Sequence, residues 1–241
     1  MKKYQECDIP AMLDSQDEMV RVSIAKNKRW TPSDEQIGRG LSDISAKVRH
    51  AWVSRGDVHP NSDQMDAGLN DRSAHVRCGF ILSGGPITIE QCDILMTDSS
   101  LMVRRSMGFV SGYSPTPQQF EKGAISDMDS LVRRIWVSRE DFIPNEEQIW
   151  KIMGDLSASV RSGIATKKMK VTADMVECGL TDESWLVRLL WAGRSDIQPS
   201  EEQIRRGMSD DSKIVSDKWI SRMSEFIDTT LLDYNYDEKS I

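Results

Sequence analysis

Apolar positions in this chain return in a fixed three-point pattern. Val48, Trp52 and Val53 are spaced as one side of a helix, and the same spacing recurs at Val76, Phe80 and Ile81, at Val132, Trp136 and Val137, and at Val187, Trp191 and Ala192. A polar turn follows each stripe, and a second, shorter helical stretch precedes it. Within Trp30 to Asp57 the pattern predicts helix, turn, helix. Thr31 and Pro32 start the first helix, because a threonine oxygen caps free N–H groups and proline has no N–H to satisfy. Gly40 and Ser42–Asp43 end it and begin the second, which stops around Arg55–Gly56.

The dipeptide Val-Arg marks the second helix at residues 20–21, 48–49, 76–77, 103–104, 132–133, 160–161 and 187–188, with Val215–Ser216 as an eighth copy. Steps between markers are 28, 28, 27, 29, 28, 27 and 28 residues. A period this regular fixes the architecture before any motif is weighed. It predicts an all-α fold, a right-handed α-solenoid of about eight two-helix repeats over residues 1–222, with 223–241 as a C-terminal cap and acidic tail. Three after each marker comes a large apolar side chain (Ile24, Trp52, Phe80, Met107, Trp136, Ile164, Trp191, Trp219), the expected core row. Helices of about ten residues do not persist alone in water, so burial between neighbours must hold them.

The phase slips in the middle. One residue is lost at Ser83-Gly84-Gly85-Pro86, and one is gained near Gly123–Ala124. The stacking is expected to depart from uniform over roughly 83–124.

Six before each marker from the second copy on stand Asp43, Asp71, Asp98, Asp127, Asp155, Asp182 and Asp210. Six residues turn a helix by about 600°, so an aspartate and the arginine of its own unit do not share a helix face. The aspartate is placed at the turn, capping the second helix. The first unit has Arg21 but Ser15 in the aspartate row, and the last has Asp210 but Ser216 in the arginine row. The two rows match without remainder only if each arginine pairs with the next unit's aspartate, from Arg21–Asp43 through Arg104–Asp127 to Arg188–Asp210. A further row, Gln36, Gln64, Gln91, Gln119, Gln148 and Gln203, is broken only by Met175 and is read as amides stacking between units.

Composition adds limits. The chain has 241 residues, 39% of them hydrophobic, and no run approaches the roughly 18 apolar residues of a membrane helix. The start, MKKYQECDIP, lacks the apolar stretch of a signal peptide. Cys7, Cys78, Cys92 and Cys178 are scattered, which points to reduced, buried thiols, a cytoplasmic location, and no clustered metal site. Of the net charge of −7, the tail beyond Met223 carries −4, so the repeat body is only mildly acidic and lacks the basic footprint of a nucleic-acid binder.

The signature D-x-x-x-x-V-R in a two-helix unit beginning near proline resembles HEAT repeats. The short period and turn-rich first helix also resemble the leucine-rich-repeat variant family. The resemblance spans residues 9 to 222 and implies an armadillo-type scaffold that grips partners. The iron–sulfur cluster of some variant repeats needs grouped cysteines, and HEAT-like hydroxylases use His-Glu pairs; neither pattern occurs here, where the histidines are His50, His59 and His75. No cofactor or metal is expected.

On the second helix, the side opposite the core falls two before, one after and five after the marker. It is polar in one unit (Lys47, His50, Ser54) and then changes character: His75, Cys78, Leu82; Met102, Arg105, Phe109; Leu131, Arg134, Ser138; and, after Ser159, Ser162 and Thr166, Leu186, Leu189, Gly193. Leu82, Met102, Arg105, Phe109, Leu131, Arg134, Leu186 and Leu189 are therefore the candidate partner-binding residues, since apolar side chains with arginines among them have the composition of an interface. A row at the helix ends, Arg55, Arg139, Lys167, Arg194 and Arg222, is the candidate anion site; the alternatives are favourable helix-dipole contacts and local turn pairs Arg55–Asp57, Arg139–Asp141 and Arg194–Asp196. The leading functional expectation is a non-catalytic protein-binding scaffold. Alternatives are a nucleic-acid binder using Arg105, Arg134 and the helix-end row, and an enzyme resembling the HEAT-like alkylpurine DNA glycosylases, for which the groove face lacks an aromatic-plus-carboxylate grouping.

Overall fold

The computed structural model describes residues 9–110 and 113–223. The described residues are helical throughout, with no strand. Helices alternate down the chain as α1 (Ile9–Leu13) and α2 (Glu18–Lys26), α3 (Asp34–Leu41) and α4 (Ala46–Val53), α5 (Ser62–Leu69) and α6 (Ala74–Leu82), α7 (Ile89–Leu95) and α8 (Leu101–Met107). They continue as α9 (Pro117–Phe120), running into a π-helix Glu121–Ser126, and α10 (Ser130–Ser138); α11 (Glu146–Met153) and α12 (Ala158–Ala165); α13 (Ala173–Leu180) and α14 (Trp185–Ala192); α15 (Glu201–Met208) and α16 (213–223). Most run seven to nine residues, shorter than the ten expected. Two compact units result, Met1–Gly123 and Ala124–Ile241. The C-terminal cap and acidic tail expected over 223–241 lie, beyond Met223, outside the described residues.

The helix α3 opens two residues later than expected. Ser33, not Thr31, is the N-cap of α3, and Pro32 sits before the cap rather than inside the helix. There its ring keeps Thr31 out of helical backbone and sets an extended entry. Pro60, Pro144 and Pro199 precede N-caps in the same way, whereas Pro117 is a true first-turn proline. The glutamine row explains itself at this point. Gln36, Gln64, Gln91, Gln119, Gln148 and Gln203 are the third helical residues of capping boxes: each takes the N-cap backbone N–H on its side-chain oxygen (Ser33 N to Gln36 Oε1, 2.8 Å), while the cap side chain takes the glutamine's N–H. The amide ends are left for the preceding unit: Gln119 Nε2 donates to Asp93 at 2.9 Å and Gln203 Nε2 to Glu177 at 2.8 Å.

The residue gained in the fifth copy is absorbed without a loop. The helix begun at Pro117 widens into the π-helix Glu121–Ser126, the form an α-helix takes when one residue is inserted. The residue lost earlier tightens the α6–α7 connection around Gly84, whose φ of 76° suits glycine.

The core follows the stripes. Val48, Trp52 and Val53 are buried, as are their counterparts in α6, α10 and α14. Glycine makes room for the large rings. A Cβ on Gly40 would lie 2.2 Å from Trp52, on Gly68 2.2 Å from Phe80, on Gly179 2.3 Å from Trp191 and on Gly207 2.2 Å from Trp219. Where the ring is replaced by Met107 or Ile164, the glycine position holds Leu95 or Ile152 instead, also buried. A glycine thus faces a ring, and a branched aliphatic side chain faces the slimmer Met107 or Ile164. Within each unit, the second helices of successive repeats touch directly: Gly79 of α6 lies against Val53 of α4, and Gly163 of α12 against Val137 of α10.

Within each unit, ionic clasps link consecutive repeats. Arg21–Asp43, Arg49–Asp71 and Arg77–Asp98 form in the first unit, and Arg133–Asp155, Arg161–Asp182 and Arg188–Asp210 in the second, at 2.6–2.7 Å. The seventh expected pair, Arg104–Asp127, is drawn between residues of different units. The geometry is two-pronged: Arg49 Nε and Nη2 donate to the two carboxylate oxygens of Asp71, and Nη1 returns to the carbonyl of Asp43 at 2.6 Å. The aspartate does not cap the second helix itself. Asp43 accepts the N–H of Ser45 at 2.8 Å, and Ser45 is the N-cap of α4.

Candidate interaction surface

The second helices carry the candidate residues. Opposite the buried stripe of α6, Leu82 is 59% exposed; on α8, Met102 is 37% exposed, and just past its end Phe109 is 64% exposed. All three belong to the first unit. In the second unit Leu131 of α10 and Leu186 of α14 are exposed, Leu189 is half-buried, and Arg134 is half-buried above Gly163 of α12. Arg105 is half-buried as well. Burial lowers the Arg134 pKa, and its guanidinium reaches the Ser138 hydroxyl.

Three grooves open on the described residues of these faces. One of about 480 Å³ lies between α2, α4 and α6, lined by Met19, Lys26, Lys47, His50 and His75 among others. His50 and His75 meet edge to face at 6.2 Å, and burial, then His75 and Lys26, hold the His50 pKa below its ordinary value. A second, about 490 Å³, brings Leu82 and Met102 together with Cys78 and Ser106. The third, about 690 Å³, lies in the second unit and joins Leu189 of the partner-binding row to Lys167 and Arg194 of the helix-end row.

The helix-end cations expected as anion receptors point inward. Arg55 is buried; it donates to the carbonyls of Ala25 and Asn27 in the preceding repeat and of Trp30 at the start of its own, and clasps Asp57 through two bonds. Its guanidinium carbon also sits 5.4 Å from the Trp30 ring and 5.5 Å from Trp52. Arg194 repeats this with Ala165, Lys167 and Asp196, over Trp191. Arg222 bonds the carbonyls of Ala192 and Ile197, and Lys167 those of Arg139 and Phe142. The local pair Arg139–Asp141 is present at 2.7 Å. These cations satisfy carbonyls at the mouth of the previous hairpin, and buried donors so engaged do not meet a solvent anion.

Two features escaped the sequence reading. Ile44, Met128 and Leu156, each one residue after an aspartate of the repeating row, are almost fully exposed at the turns. The signal was an apolar residue at a position held elsewhere by Arg72, Ser99, Glu183 and Asp211. Cys178 is exposed, while Cys78 and Cys92 are buried as expected and Cys7 lies outside the described residues. Burial raises the Cys78 pKa, so that thiol stays protonated. Among the described residues, no three His, Cys, Asp or Glu side chains group as metal ligands, and no helix is long and apolar enough to cross a membrane.

No family model and no curated protein matches the sequence. Solved structures do. One is described as "a leucine-rich repeat variant with a novel repetitive protein structural motif", with a TM-score of 0.65 at 20% identity over 90% of this chain and 81% of that one. Another is the designed armadillo repeat protein YIII(Dq)4CqI, with a TM-score of 0.30 at 15% identity over 89% of this chain and 97% of that one. The first likeness, with the all-helical alternation and its clasps, establishes the fold: a helical-repeat solenoid of the kind seen in the leucine-rich repeat variant.

Proposed function

We propose that this chain is a non-catalytic scaffold that presents its second-helix faces to a protein partner. The observation that supports it is the exposure of Leu82 and Met102 on successive second helices of one unit and of Phe109 just past the second of them, beside a groove that Leu82 and Met102 line. Folding buries such side chains when it can, and here the hairpin cores are already filled by the valine and tryptophan stripes. The nucleic-acid alternative loses most of its cations, because the helix-end row is engaged within the fold.

The test is affinity capture by the full chain against Met102→Asp and Phe109→Asp. Wild type should retain a partner that both variants lose, with unchanged melting temperatures. Equal capture by correctly folded variants would overturn the reading. Binding of labelled duplex DNA that weakens steeply with salt would replace it by the nucleic-acid alternative.

A further inference from the structure

The groove of the second unit, between the ends of α12 and α14 and the flank of α16, differs in charge from the molecule around it. Its floor is apolar, with Leu189 and Leu190 half-buried beside Ala165. Its rim carries Lys167, Lys168, Arg194 and Lys218 against a single carboxylate, Asp196. In a chain of net charge −7 that sign is not background.

The internal contacts sort these charges. Arg194 clasps Asp196 at 2.6 Å, so the one acid of the rim is already matched. Lys167 is held by the carbonyls of Arg139 and Phe142, which bring no formal charge. The side chains of Lys168 and Lys218 make no hydrogen bond or ion pair among the described residues. The mouth is open because Gly193 ends α14 there: a Cβ on it would meet Lys218 Cε at 3.6 Å, so the lysine stem borders the space a side chain of a ligand would enter.

We propose that this groove receives an acidic peptide segment of a partner protein. An apolar side chain of that segment packs on Leu189 and Leu190, and carboxylates on either side of it pair with Lys168 and Lys218. The leucine floor selects a peptide over a bare anion, and the unmatched lysines select acidic over neutral or basic sequence. The inference rests on the second-helix faces being the partner surface and adds the chemistry of what one of them holds.

The probe is the fluorescent peptide Ac-Glu-Asp-Leu-Leu-Asp-Glu-amide, followed by anisotropy with the full chain, beside a control in which every acid is its amide. The acidic peptide should bind, its affinity falling as salt is raised. The control and the double variant Lys168→Glu/Lys218→Glu should each bind roughly tenfold more weakly or worse, with the variant's melting temperature unchanged. Gly193→Leu, which fills the mouth without touching a charge, should weaken the same peptide. Equal binding by the control or by the lysine variant overturns the proposal. So does a change of oligomeric state on lysine reversal, which would make a second copy of this acidic chain the occupant. Tighter binding of duplex DNA than of the peptide overturns it too. If the peptide fails while Met102→Asp and Phe109→Asp still abolish capture, the scaffold stands and this groove assignment falls. If the peptide binds and those variants capture normally, the first-unit face falls and this groove remains.

Discussion

At the scale of single residues, the glycines inside the first helices answer to the rings opposite them. Gly40, Gly68, Gly179 and Gly207 each leave a space that an indole or phenyl ring fills, at distances no Cβ tolerates. Helix propensity alone favours Gly40→Ala by about 1 kcal/mol, so the sign of the measured change separates packing from propensity. We expect Gly40→Ala to lower unfolding stability by about 1–3 kcal/mol, because the rigid Trp52 ring must shift. Gly56, with nothing within 4 Å of a Cβ, is the control, and Gly56→Ala should be neutral or stabilising by up to about 1 kcal/mol. Urea titration of both variants reads the difference. A stabilised Gly40→Ala would mean that the ring is not seated as described. The sequence displays this pairing, yet a lone glycine in a helical pattern reads as a breaker until the opposing ring is placed.

At the scale of the helical hairpin, the pairing becomes a rule of exchange. The α13–α14 hairpin pairs Gly179 with Trp191, while α11–α12 holds Ile152 and Ile164 at the equivalent positions. Trp191→Ile alone opens a cavity and Gly179→Ile alone overpacks, each costing on the order of 2–4 kcal/mol. The double variant should lose at least about 1 kcal/mol less than the sum of the two, the coupling expected of residues in contact. Strict additivity in a thermal-melt cycle would refute the shared-volume account. Period, helix alternation and inter-unit clasps were legible because they depend on spacing, which survives without coordinates. The rows that misled are those whose side chains turn back on their own backbone. Gln36 and its counterparts look like a ladder until Ser33 is recognised as the cap three residues before. Arg55 looks like a surface cation at a helix end until the carbonyls of Ala25, Asn27 and Trp30 are seen to converge on it. Likewise Leu189 on α14 and Lys167 just past α12 stand 22 residues apart, and only the stacking of α12, α14 and α16 brings them to one groove.

For the molecule as a whole, stability accumulates from neighbour to neighbour, and the same carboxylate device recurs in both units. That makes acid a global perturbant. The Arg188 hydrogen bond holds the Asp210 carboxyl below its ordinary pKa despite burial. At Asp71 and Asp155 burial pushes upward, but the bonds from Arg49 and the Ser73 amide, and from Arg133 and the Ser157 amide, outweigh it. A carboxylate whose folded pKa is depressed contributes stability that is present above its unfolded value, about 3.9, and is lost as pH falls through the folded value. The carboxylates' share of the melting temperature should therefore be flat from neutrality to about pH 5 and drop steadily below about pH 4, on top of a shallow loss below about pH 6.5 from His50, whose folded pKa is also depressed. Arg188→Ala should melt lower than wild type at pH 7, since it strands a largely buried carboxylate. It should also lose less on acidification, since Asp210 without its partner has a less depressed pKa and its protonation then releases less stabilisation. The two melting curves should converge as the pH falls toward 3. Parallel curves would show that the clasps bear no pH-linked stability, and would leave the apolar seams alone to set the order of the repeats.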